Sequence, residues 1–147
     1  MRLYLDLCVY NRPFDYQGHE RVALETSAFL YILEKAEKDV YELVVSEALV
    51  YENSKNPNAQ KKLRVASYFQ LAREFVEIDD TDLRRVTFLK GLGFSDIDSL
   101  HIALAEKANV DYFVTCDDEI ASRCKKHREL LSVNVVGLTE FIGLEVK

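Results

Sequence analysis

Proline occurs twice and glycine five times in 147 residues, and no serine- or glycine-rich stretch interrupts the chain. Interdomain linkers, repeat arrays and low-complexity tails are absent on that basis, and residues 1–147 read as one domain. The three cysteines, Cys8, Cys116 and Cys124, are an odd number with no Cys-x-x-Cys spacing. That argues against a disulfide framework or a zinc knuckle and for reduced thiols in a cytoplasmic protein. No apolar run reaches the roughly 18 residues that a membrane helix needs, so no membrane partner is expected. The opening MRLYLDLCVYNRPFD meets charge too early for a secretory signal. A basic excess is missing as well: 19 Lys and Arg stand against 25 Asp and Glu, a net charge of −6. A nonspecific binder of polyanions usually carries the opposite sign. Two features soften that exclusion. Acids gathered around a cation are neutralised by it. Local basic clusters also occur, at Lys61, Lys62 and Arg64, at Arg84 and Arg85, and from Arg123 through Lys125, Lys126, His127 and Arg128.

What the chain does contain is an alternation of short apolar runs with longer helical periods. Leu3-Tyr4-Leu5, Leu43-Val44-Val45, Phe75-Val76-Glu77-Ile78, Tyr112-Phe113-Val114-Thr115 and Val133 to Val136 read as strands. Between them lie helical stretches at about 18–37, from Ser46 to about 54, and at about 59–73, 80–90, 95–108 and 118–127. In the first, Val22, Leu24, Ala28, Phe29, Ile32, Leu33 and Ala36 fall at helical spacing. Strands separated by helices imply right-handed crossovers and a parallel sheet covered on both faces, an α/β sandwich.

In open parallel sheets ligands collect at the carboxyl ends of the strands, so acids that follow strands are the ones to weigh. Asp6 ends the first strand and Asp117 follows the fourth. Each also fits an ordinary local role, a turn for Asp6 and a helix cap for Asp117, with Asp118 competing. Glu52 lies one turn beyond Ala48 and Leu49, on a helix face expected to be buried, where a carboxylate needs a partner. Glu47 instead sits in a first turn and favours the helix dipole. Asp98 follows the break at Gly91 and Gly93. It has capping-box spacing from Ser95, yet it opens a helix that is apolar around most of its girth. His101, about one turn past Asp98, reads as a packing or supporting residue rather than a general base.

Taken in order along the chain, these pieces resemble the PIN domains, and more narrowly the VapC-type toxin ribonucleases. The resemblance is carried by Leu3-Tyr4-Leu5-Asp6, by Val45-Ser46 with Glu52 six residues on, by Asp98-Ser99-Leu100-His101-Ile102-Ala103-Leu104-Ala105 and by Phe113-Val114-Thr115-Cys116-Asp117. Asn11-Arg12-Pro13-Phe14-Asp15 is similar to a subgroup with that turn after the first strand. The resemblance implies a three-layer α/β/α sandwich, its parallel sheet of about five strands in the order 3-2-1-4-5. It implies that Asp6, Glu52, Asp98 and Asp117 are the catalytic and metal-binding acids, with Thr115 as a polar neighbour. It further implies an endoribonuclease acting on RNA with Mg²⁺ or Mn²⁺, silenced by a cognate antitoxin, and a homodimer. The departure is Leu7-Cys8, where many members carry Thr or Ser after the first Asp.

Hard oxygen donors suit Mg²⁺ or Mn²⁺, and four acids suffice for one firmly held ion and a second that arrives with substrate. Asn11 and Arg12, expected in a loop after the first strand, are placed to touch phosphate. The alternatives are a non-catalytic module of the same fold that binds RNA or protein, and a phosphatase or receiver-like domain. Against the phosphatase stands the lack of Asp-x-Asp at Asp6, since residue 8 is Cys. Against the receiver stand the lone Asp6, in place of an acidic pair, and the lack of a Lys closing the fifth strand, although Asp79 after the third strand keeps it open.

Overall fold

A computed structural model describes residues 1–146. Five strands, β1 (Arg2–Leu5), β2 (Glu42–Ser46), β3 (Glu74–Val76), β4 (Tyr112–Thr115) and β5 (Asn134–Gly137), form one parallel sheet. Their order is β3-β2-β1-β4-β5, the order that the resemblance implies. The central strand is apolar at Leu3, Tyr4 and Leu5, all fully buried, because helices cover both of its faces.

Eight helices connect and flank the strands: α1 (Leu7–Asn11), α2 (Glu20–Glu37), α3 (Glu47–Ser54), α4 (Ala59–Phe69), α5 (Asp80–Gly91), α6 (Asp96–Lys107), α7 (Asp118–Lys126) and α8 (Leu138–Glu145). The chain runs from β1 through β2 to β3 at one edge of the sheet and then passes back beyond β1 to β4 and β5 at the other. The C-terminal α8 returns to pack on α2. It inserts the fully buried Phe141 between Tyr41 and Tyr112, ring centroids 5.7 and 5.6 Å away. Among the described residues no helix is long and apolar enough to cross a membrane.

Two regions differ from the sequence expectation. The segment after β1 is not an open loop: α1 starts directly at Asp6, and a single 3-10 turn follows at Arg12–Phe14, with Pro13 in its first positions. Five residues are too few for an apolar period to show, and the helix is fixed instead by Asp6 capping it. The closing α8 was not expected either; Leu138 and Phe141 anchor it through burial. Within α2 the buried face follows the sequence reading at Ala28, Phe29, Ile32, Leu33 and Ala36 and departs from it at one turn. Leu24 is 58% exposed while Glu25 is 1% exposed.

Register decides what stands beside what. Leu5 pairs with Val114, and the backbone N–H of Asp6 donates to Val114 O at 2.9 Å. The strand order reverses between the parallel neighbours β1 and β4, so the crevice beyond their carboxyl ends receives Asp6 and the residues after Val114.

Candidate functional site

Asp6 is 6% exposed and is gripped from several sides. Its Oδ1 accepts from Leu7 N at 2.8 Å, which caps α1, and its Oδ2 accepts from Thr115 Oγ1 at 2.8 Å. The same hydroxyl accepts from Asp117 N at 3.0 Å, so one threonine ties the acid of β1 to the acid after β4. The thiol of Cys8 lies 3.4 Å from Asp6 Oδ2. The hydroxyl that Cys8 lacks is thus supplied to Asp6 from across the sheet by Thr115. Replacing Thr115 by Val leaves Asp6 Oδ2 and the Asp117 N–H without that partner. The expected cost is about 2 kcal/mol, one buried hydrogen bond to a charged group, read as a lower urea midpoint at unchanged slope.

Glu52, in the last turn of α3, faces His101 of α6: Glu52 Oε1 is 2.9 Å from His101 Nε2. One donor atom from each of Asp6, Glu52 and His101 lies within 4.8 Å of the other two. Asp98 and Asp117 lie outside that tight group. They line an adjoining recess of about 190 Å³ with Gly93, Phe94, Ser95 and Arg123. Ser95 caps α6 by accepting from Asp98 N at 3.2 Å, and Asp117 caps α7 by accepting from Glu119 N and Ile120 N. Asp6 and Asp117 therefore cap helices with the same carboxylates that face the site, whereas the Asp98 carboxylate caps nothing. Gly93, with φ of +102°, leaves the space that the Arg123 guanidinium occupies over the Phe94 ring.

The electrostatics couple the two parts. Burial pushes the Asp6 carboxyl above the usual range, and the charge of Glu52 adds to that push against the help of His101 and Thr115. Burial likewise pushes Asp98 up, with the charges of Asp6 and Asp117 contributing. Among the described residues none of the four acids pairs with a lysine or arginine, and the one basic side chain engaged is His101 with Glu52. The neighbouring acids behave differently. Asp118 pairs with Arg21 at 2.7 Å, Asp96 with Lys90 at 2.9 Å, and Asp79 closes a capping box on α5 and pairs with Lys107 at 2.9 Å. Asp79 is thereby committed to structure.

Arg12 is occupied as well. Its Nε donates to Glu25 Oε1 at 3.0 Å and its Nη1 to Asp15 Oδ2 at 2.8 Å. The neighbouring Asn11 ends α1, with its Oδ1 buried and unpartnered.

Sequence reasoning gave no functional weight to Tyr4 and Ser46. Tyr4 OH lies 2.6 Å from both Ser46 Oγ and His101 Nδ1. A tyrosine inside an apolar strand reads as core, and only its hydroxyl, buried and needing partners, signals more.

A model of the PIN domain family matches residues 22–126. The chain belongs to the PIN domain family. The matched span contains Glu52, Asp98 and Asp117 but begins after Asp6, which the sheet register places with them. Among solved structures this PIN domain is similar to a chain of VapBC2 from Rickettsia felis, described as bound to a DNA fragment from their promoter. The two share 14% identity at a TM-score of 0.56, over 93% of this chain and 98% of that one. At that identity the likeness concerns the fold. A comparison with curated proteins finds no match.

Proposed function

We propose that this PIN domain, residues 1–147, is a metal-dependent endoribonuclease that hydrolyses phosphodiester bonds of RNA in the cytoplasm. The observation that carries the reading is a set of acids at the carboxyl end of the sheet, Asp6 buried, Glu52 and Asp98 half-buried and Asp117 exposed, left among the described residues without lysine or arginine partners. Buried carboxylates normally recruit a cation from the protein. Asp6 and Glu52 approach each other instead, and Asp98 is held protonated more readily than an ordinary acid. A donor set of carboxylate oxygens fits Mg²⁺ or Mn²⁺. Asp6 would be the central ligand, Asp98 and Asp117 would hold an ion directly or through water, and Glu52 would complete a second position or orient the attacking water. When bound, such an ion supplies positive charge beside the phosphodiester and makes water more acidic.

The chain's own residues do the rest. Thr115 holds Asp6 and the Asp117 backbone in fixed relation. Arg123, paired with the exposed Glu119 at 3.4 Å, brings one cation to the recess of Asp98 and Asp117, and Lys126 follows it on α7, a basic edge suited to the RNA backbone. Asn11 and Arg12 border the same end of β1, but a phosphate drawing on Arg12 has to compete with Glu25 and Asp15.

The PIN family, together with a structural neighbour described as VapBC2, supports a toxin paired with an antitoxin. A homodimer would join two such basic edges into one longer track.

The test is cleavage of a total RNA pool with Mn²⁺, with and without EDTA, mapped by end sequencing. Cuts that vanish with EDTA are expected. If no RNA is cut with Mn²⁺ or Mg²⁺, the alternative stands: a non-catalytic module that uses the same face to bind RNA or protein.

A further inference from the structure

Behind Glu52 runs a line of polar groups sealed in the core. Ser46 and Tyr4 are fully buried and His101 is 1% exposed, and they come from β2, β1 and α6. The phenol ring is fixed by stacking on Phe113, centroids 5.2 Å apart at 19°, and meets the imidazole edge-on at 5.8 Å. Its hydroxyl therefore has no freedom to choose other partners.

With an uncharged imidazole, the protons in this line have one arrangement that satisfies every group. Ser46 Oγ already accepts from Leu49 N at 3.2 Å, so its own hydrogen is free for the Tyr4 oxygen 2.6 Å away. Tyr4 then donates to His101 Nδ1. An uncharged imidazole whose Nδ1 accepts must carry its hydrogen on Nε2, which donates to Glu52 Oε1. In the reverse arrangement Tyr4 donates to Ser46 and His101 carries Nδ1–H. That would strand the Ser46 hydrogen and turn the Nε2 lone pair on a carboxylate oxygen at 2.9 Å. Buried polar chains favour the pattern in which every group is satisfied.

We propose that Ser46, Tyr4 and His101 form a one-way hydrogen-bond wire that fixes the Nε2–H tautomer and thereby holds Glu52 beside Asp6. His101 is then a positioning residue for the RNA cleavage proposed above, on which this part of the inference rests. One oxygen of Glu52 is committed to the imidazole. The other accepts no hydrogen bond among the described residues and stays available to the site.

The wire is tested first without metal or RNA, by long-range ¹H–¹⁵N correlation of the histidine ring nitrogens near neutral pH. Wild type should show His101 with hydrogen on Nε2 alone. Tyr4→Phe, which deletes one hydroxyl, should give a mixture of the two tautomers. In cleavage assays Tyr4→Phe should lower kcat about 10-fold with KM within about 2-fold, the scale seen when the partner of a metal-site residue is lost. His101→Gln, which keeps an N–H for Glu52, should retain about 10-fold more activity than His101→Leu.

Hydrogen on Nδ1 in the wild type, or an unchanged tautomer and kcat in Tyr4→Phe, overturns the proposal. If His101→Leu does not fold, Tyr4→Phe alone decides. The spectra need no activity. A chain that shows the expected tautomer but cuts no RNA therefore removes the nuclease reading and leaves the wire standing.

Discussion

Asp6→Asn should abolish RNA cleavage and, at the same time, make the metal-free protein more stable. The first effect follows from position. Asp6 is the acid at the centre of the proposed site, and losing even an outer partner of a metal ligand costs about 10–100-fold; about 100-fold or more is expected here. The second follows from burial. The folded protein holds the Asp6 proton more tightly than the unfolded chain, because burial raises its carboxyl. The stability this group contributes is therefore present at low pH and lost as pH rises through the folded value. Ionising Asp6 in the metal-free fold therefore works against its burial.

Asparagine has the same shape and no charge. Its oxygen can keep the Leu7 N–H and its amide can donate to Thr115, whose hydroxyl hydrogen can turn to Cys8 Sγ at 3.5 Å. The gain should be about 1 kcal/mol, a Tm rise of about 3 °C in EDTA. Adding Mn²⁺ should reverse the order, because the wild type alone gains binding energy, about 2.7 kcal/mol at a hundredfold excess over Kd. Thermal denaturation of both proteins with EDTA and with Mn²⁺ reads the crossing. A wild type that Mn²⁺ does not shift, or an Asp6→Asn variant that still cuts, removes Asp6 from the centre.

Sequence patterns reveal the proposed site unevenly. Asp6 and Asp117 stand out because strand ends are visible as changes of period, and a parallel sheet turns strand ends into a place. Glu52 stands out because three-residue arithmetic puts it on a buried helix face. His101 reads as a packing or supporting residue, but its contact with Tyr4 is not legible, because 97 residues separate them and no local period records it. Thr115 was legible only as a neighbour of Asp117. Its tie to Asp6 comes from the pairing of Leu5 with Val114, which strand order alone does not give. The same limit hid Glu25. An acid in the middle of an 18-residue helix reads as solvated, and the rotation of that helix is set by a partner outside it.

The partner is Arg12, and replacing it should have the largest effect on stability of any change considered. The Glu25 side chain is 2% exposed and rests on Arg12 Nε at 3.0 Å and, less closely, on Arg21 Nε at 3.4 Å. Arg21 is half exposed and also serves Asp118, so it cannot take over fully. Removing one member of a buried pair leaves an uncompensated charge. Arg12→Met should therefore cost about 3 kcal/mol, a fall in Tm of about 6–12 °C. The double change Arg12→Met with Glu25→Met should recover most of it, because two apolar side chains of similar length replace the pair without a stranded carboxylate.

The double variant also separates two roles for the Asn-Arg-Pro-Phe-Asp turn. If Arg12 serves only to seat α2 against that turn, the refolded double variant cleaves RNA with its KM unchanged. If Arg12 leaves Glu25 to grip a phosphate, stability returns while KM stays raised and less sensitive to salt, since one phosphate contact has gone. The 2.8 Å bond from Arg12 to Asp15, made within the same turn, favours the first outcome. A guanidinium held by two carboxylates has little reason to exchange both for one phosphate that water already solvates.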